Sequence, residues 1–309
     1  MQYRWTMLVA GIFATLGAQA ATITVGTLPA ADSVVLYVAQ REKLFEKEGL
    51  DVNVIPFKSA IEVGAAMRAD KLQGHFGDVM NVITQSASGV PQKIVVTTTY
   101  SHPAQRNFAF VTSPKLKGVT QLSDLKGNTS AMSSATIIDY LLDRMRAEEK
   151  LPQDAFKTVE VKQIPVRLQM LMAGQVDTAL LPEPLVSLVA AKGGQVLWTD
   201  KNLNEPQAVV ALKDSVADEK TVASFRRAVS AAAKLIEVDP TKYRAYMVQK
   251  GLLPPPLAQT YPMIRFSQFG TQDGLPPLPN EQDVQRVGQW MLEKGMIQSV
   301  PAYETIVAK

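Results

Sequence analysis

The chain has no cysteine in 309 residues. That excludes disulfides, thiolate metal centres and a thiol nucleophile. It also excludes a lipid attached at an N-terminal cysteine. A secreted chain of this size needs no disulfide, because it buries enough apolar surface to hold its core unaided. Histidine is almost as scarce: His75 and His102 are the only two, and neither has partners at the spacings metal sites use. No phosphate-cradling loop, dinucleotide fingerprint or nucleophile elbow occurs. Carboxylates are plentiful but no pair is singled out by spacing. No catalytic residue, metal or cofactor is therefore assigned. Neither sign of charge dominates. The formal net charge is +3, and basic and acidic residues are interspersed, so no nucleic-acid-binding stripe exists.

Long apolar runs are missing after the first twenty residues. There, "MQYR", the apolar "WTMLVAGIFATLG" and the small-residue "AQA" follow one another in order. This reads as a secretory signal peptide, residues 1–20, cleaved after Ala20. The run is too short to span a bilayer as a helix. The expected location is the periplasm. Hydrophobic residues make up 46% of the chain, too many for disorder and enough for two cores. The length suggests about two domains.

What is present is alternation. Short β-rich runs ("TITVGTL", "DVNVIPF", "GHFGD", "KIVVTTTY") are separated by helical patterns at 33–48, 60–70 and 79–88. The pattern restarts after residue 127, with a helix over 135–149, the strand "VDTALL" and a helix from Pro184. Strands alternating with helices of this length imply βαβ units. "AMRADKLQGHFGD" and "LMAGQVDTALLP" share the order helix end, polar turn, strand. The chain therefore reads as two lobes of similar design. Residues 113–127 and 204–216 are the expected crossings, and the tail is expected to be helical and to pack on the first lobe.

In parallel sheets, ligands bind beyond the carboxyl ends of the strands, where helices begin. Those junctions are polar here. They carry Asp32 and Ser33 after the first strand, Ser59 in a capping box with Glu62, and Asp78 after "GHFG". In the second half they carry Ser133, Ser134 and Thr136, then Pro165, then Glu183. Each also suits a helix cap. Converging helix N-termini favour an anion. If instead the three carboxylates point at the ligand, an amine-bearing heterocycle fits. Arg167, near a helix start, is expected to pair with a surface carboxylate, a ligand anion being the other candidate.

"ITVGTLPAADS", "LFEKEGLDVNVIPF", "GHFGDV", "MLMAGQVDTALLPEP" and "DVQRVGQWMLEKGMI", in this order and spacing, resemble one family. It is the periplasmic substrate-binding proteins of ABC importers, in the nitrate, sulfonate, taurine and thiamine-precursor (NMT1-like) group. The resemblance implies an α/β fold of the two-lobed periplasmic binding protein type II, each lobe a mixed sheet flanked by helices, joined by two hinge strands. Residues 21–112 plus 213–309 would form lobe I and residues 113–212 lobe II. It implies ligand contacts at Pro29, Ala30, Asp32, Ser33, Ser59, Asp78, Asn81, Ser133, Ser134, Thr136 and Glu183. It implies a monomer that delivers a small organic solute, anionic or heteroaromatic, to an inner-membrane ABC permease. No enzyme activity, cofactor or nucleic acid is expected. Some relatives of this fold make a thiamine precursor with a cysteine and histidines; the missing cysteine and the export signal argue against that alternative. A solute-sensing partner of a membrane receptor is the other alternative.

Overall fold

The structure, a computed structural model, describes residues 21–309; the expected signal peptide lies outside the described residues. Its strands are β1 (Ile23–Thr27), β2 (Val52–Pro56), β3 (Gly74–Gly77), β4 (Gln92–Tyr100), β5 (Phe108–Thr112), β6 (Thr129–Met132), β7 (Lys157–Glu160), β8 (Thr178–Pro182), β9 (Val196–Thr199) and β10 (Pro206–Lys213). Its α-helices are α1 (Val34–Arg41), α2 (Leu44–Lys47), α3 (Ala60–Arg68), α4 (Val79–Ala87), α5 (Ile137–Glu148), α6 (Ile164–Ala173), α7 (Leu185–Ala191), α8 (Glu219–Val238), α9 (Pro240–Gln249), α10 (Glu281–Glu293) and α11 (Tyr303–Ile306).

The strands form two mixed five-stranded sheets, ordered β2-β1-β3-β10-β4 and β7-β6-β8-β5-β9. In the first, β1 pairs in parallel with β2 and β3, and β10 runs antiparallel between β3 and β4. In the second, β6 pairs in parallel with β7 and β8, and β5 runs antiparallel between β8 and β9. The matching segments of the sequence occupy equivalent places: α3 leads to β3 as α6 leads to β8. Each sheet also receives one strand from the other half of the chain. Sheet pairing thus places β5 with the second sheet and β10 with the first, a shift at two strands from the expected boundaries. The crossings are short, at residues 101–107 and 200–205. Residues 113–127, expected as a crossing, instead cover the second sheet with Val119, Leu122 and Leu125.

The crossings are tied to each other. Asp200, fully buried, accepts from the Asn107 and Phe108 backbone N–H groups at 3.0 Å each and from Asn107 Nδ2 at 3.0 Å. Ser101 Oγ donates to the Glu205 carbonyl at 2.9 Å and accepts the Glu205 N–H at 3.1 Å. The Glu205 carboxylate holds Arg144 at 2.6 Å and Tyr140 at 2.6 Å, both on α5.

Burial explains the layers. α1, α2, α8 and α9 cover one face of the first sheet through Val34, Leu36, Phe45, Phe225, Ile236 and Tyr243. α4, α5 and α10 share a second core that includes Ile83, Phe110, Leu141, Leu180, Val284 and Met291. α6 and α7 cover the second sheet with Leu171, Val186 and Val189. Each such side chain, buried, contributes about 1.5–3 kcal/mol. Two helices differ from expectation. Residues 33–48 form α1 and α2 rather than one helix, because Lys43 takes φ 56° and turns Leu44 and Phe45 inward. The helix expected from 135 begins at Ile137, where Thr136 Oγ accepts the Ile138 N–H at 3.2 Å. α10 starts at an Asn280–Asp283 capping box.

Candidate functional site

The carboxyl ends of both sheets' parallel strands face one another around a cavity of 430 Å³, a size that takes a small organic molecule. The loops after β1 and β3 form one side, and those after β6, β7 and β8 the other. The crossing at residues 104–108 and a tail loop, residues 261–265 with Gln268, complete the wall.

Of the residues expected at the ligand, Ala30, Asp32, Asp78, Ser133, Thr136 and Glu183 line this cavity together. Pro29, Ser33, Ser59, Asn81 and Ser134 do not form its wall. The reason is that most of these serve the backbone. Ser33 Oγ donates to the Ala30 carbonyl at 2.8 Å. Ser59 Oγ caps α3 by accepting the Glu62 N–H at 3.2 Å. Ser134 turns outward to Glu160, 2.6 Å away. Asn81 offers its backbone N–H to Asp78.

The carboxylates are each differently engaged. Glu183 Oε1 accepts Arg106 Nε at 2.7 Å and lies 2.5 Å from its Nη2; Oε2 accepts the Ser187 Oγ at 2.8 Å and N–H at 3.2 Å. It therefore anchors the start of α7 and neutralises Arg106. Asp32 accepts Thr98 Oγ1 at 2.5 Å and Thr99 Oγ1 at 3.2 Å. Burial outweighs these hydroxyls and pushes its carboxyl up to about 6. Asp78 caps α4, accepting the Asn81 N–H at 2.8 Å, and the Ile137 N–H of the facing α5 also points at it. Burial again dominates and raises it to about 6. Tyr261 in the tail loop, held fully protonated by burial and by the nearby Glu183 and Asp32, lines the same space.

Arg167 corrects the expectation of a surface pair: it is 1% exposed. Nη1 donates to the Val161 carbonyl at 3.4 Å, and buried Nε has no partner. His75, within β3, is buried and lies outside the cavity wall. Burial lowers it to about 4, and the Gln92 amide beside it forms no well-shaped hydrogen bond with the ring. Among the described residues no cluster suits a metal ion, and no helix is long and apolar enough to cross a membrane.

Contacts across the cavity hold the two sides together. The Ala31 N–H donates to the Glu183 carbonyl at 2.8 Å, and the Ile164 N–H to the Lys58 carbonyl at 3.0 Å. Gln163 Nε2 donates to Glu62 Oε1 at 2.7 Å. The wall residues that sequence reasoning missed include Thr99, Arg106, Asn107, Lys162, Gln207 and the loop at Tyr261. Arg106 and Asn107 were legible only as a polar pair before an apolar run. Tyr261 sits in a proline-flanked segment without periodicity.

Two mixed sheets that exchange a strand and enclose a cavity at their strand ends have the fold of the two-lobed periplasmic binding proteins. The alkanesulfonate-binding protein SsuA from Xanthomonas axonopodis pv. citri, bound to MOPS, superimposes with a TM-score of 0.73 at 17% identity, over 94% of this chain and 97% of that one. The nitrate-binding protein NrtA from Synechocystis PCC 6803 gives 0.66 at 14% identity, over 93% and 84%. In sequence, a putative thiamine biosynthesis protein from Haemophilus influenzae is 28% identical over 282 residues, 86% of this chain and 84% of that protein. The family described as NMT1/THI5 like matches residues 30–242. The chain belongs to the NMT1/THI5-like family.

Proposed function

We propose that the protein is the periplasmic solute-binding component of an ABC importer, acting as a monomer. The two sheets with their helices are two lobes that open about the crossings at 101–107 and 200–205. A small organic solute enters between them. Closure follows because only the closed form offers both lobes' contacts to the solute. The closed form then docks on an inner-membrane permease and releases its load. The single observation that carries this reading is one cavity walled by the strand ends of both sheets. The likeness to SsuA and NrtA in fold supports it.

The solute is anionic or heteroaromatic. Arg106 is spent on Glu183, but Lys162, Arg167, Lys201 and Arg265 still line the wall. Against them stand Asp32 and Asp78, whose buried carboxyls ionise reluctantly. The name of the Haemophilus relative favours a second reading, an enzyme of thiamine precursor synthesis. The chain offers that chemistry no thiol, and His75 lies outside the cavity wall. A thermal-shift screen of the purified chain against sulfonates, carboxylates, amines and pyrimidines tests the proposal. A binder should raise the melting temperature by mass action, by about 2.7 kcal/mol of stability at a hundredfold excess over Kd. Conversion of the binder into a product would contradict solute capture.

A further inference from the structure

Arg167 is a buried cation without a counter-ion. It is 1% exposed, and no carboxylate of the described residues lies within 4.0 Å of it. Glu160 is the acidic group whose field reaches it, and both Glu160 oxygens are taken by the backbone N–H and hydroxyl of exposed Ser134. A guanidinium taken out of water without a partner costs several kcal/mol, so natural proteins keep one only where something else compensates. The remaining space beside Arg167 is the cavity it lines, together with Lys162, Ser133 and Ile164.

Its bonding pattern narrows the partner. Nη1 is used by the Val161 carbonyl at 3.4 Å. Nε is buried and unpartnered, and Nη2 makes no hydrogen bond among the described residues. Nε and Nη2 form one edge of the planar fork, the edge that meets both oxygens of a carboxylate in parallel. Arg106 cannot serve in this way, because Glu183 already fills the same edge. Resting on the solute-capture reading, we propose that the solute carries a carboxylate and that Arg167 grips it side-on through Nε and Nη2. Closure of the lobes then seals the pair, since Ile164, at the start of the same helix, is bonded to Lys58 across the cavity.

The test is calorimetric titration of the purified chain with matched sets of probes: nicotinate, pyridine-3-sulfonate and nicotinamide; phenylacetate, benzylsulfonate and phenylacetamide; and succinate with succinamide. In at least one set the carboxylate should bind, with the sulfonate at least about tenfold weaker and the amide weaker still. Arg167→Gln should weaken the carboxylate about 10- to 100-fold, the loss of a charge-assisted bond, and leave the amide unchanged, collapsing the preference. Arg167→Lys, which keeps the charge without the fork, should recover only part of it and serves as the second variant should Arg167→Gln fail to fold. An Arg167→Gln chain that keeps its carboxylate affinity, or loses carboxylate and amide affinity equally, overturns the assignment while leaving solute capture standing. A binder found only among the sulfonates or amides does the same. Failure of every probe to bind would count against both the carboxylate assignment and solute capture.

Discussion

Replacing Glu183 by glutamine separates a structural carboxylate from a ligand-binding one. The wild-type carboxylate receives two guanidinium contacts from Arg106, at 2.7 and 2.5 Å, and two donors from Ser187. Glutamine keeps one acceptor oxygen and turns the other position into a donor that faces either Arg106 or Ser187. Breaking a fully buried pair costs 3–5 kcal/mol. The Arg106 side chain is 25% exposed, and water recovers part of that loss. The expected destabilisation is therefore about 2–3 kcal/mol, a fall of roughly 3–5 °C in melting temperature for a chain of this size. A double-mutant cycle isolates the pair. Arg106→Met alone should cost a similar amount, and the double variant less than the sum by about 1.5–2.5 kcal/mol. Urea melts of the four proteins give the coupling. A coupling under about 0.5 kcal/mol, with affinity for a bound solute lost more than tenfold in Glu183→Gln, would show that Glu183 acts on the ligand and that its pairing with Arg106 is incidental.

Other outcomes follow from the same geometry. Asp78 is raised by burial to about 6 from 3.8, so its stabilising contribution is present at low pH and is lost as pH rises through 6. Asp78→Asn, which keeps the cap, should therefore gain on the wild type by about 2 kcal/mol between pH 4.5 and 8; a gap that ignores pH would refute the burial argument. A Cβ on Gly74 would sit 2.7 Å from the Ala211 carbonyl oxygen within the β3–β10 ladder. Backbone cannot step aside, so Gly74→Ala should cost about 1–3 kcal/mol in a thermal melt, and an unshifted melt would mean that the exchanged strand yields easily. Glu62 joins α3 to Gln163 across the cavity at 2.7 Å. Glu62→Ala should open the lobes in small-angle scattering and weaken solute binding about threefold to tenfold, through a smaller closed population; an unchanged scattering curve would exclude Glu62 from closure.

The sequence carried local features well and non-local ones poorly. Caps were legible because the side chain that makes them lies within three residues: Ser59 and Asp78 both cap as expected. The two-sheet plan was legible from the repeat around "GHFGD" and "VDTALL". Strand exchange was not. β5, "FAFVT", is buried on both faces, and a strand without alternation does not reveal which sheet it joins. At the site, loops after strands were found because topology places them there. Arg106 and Tyr261 were missed because a crossing and a distant tail loop bring them in, and neither has a periodic signature. Arg167 was misread because a cation near a helix start suggests solvent, whereas its surroundings in the fold bury it.

The proposed function requires both sheets to grip one molecule between them. A crystal structure of the chain with the strongest binder from the screen measures this directly. Density is expected inside the 430 Å³ cavity, touching Asp32 or Asp78 on one side and Ser133 or Arg167 on the other. Density confined to one sheet, or lying on the outer surface with that cavity unfilled, would contradict it.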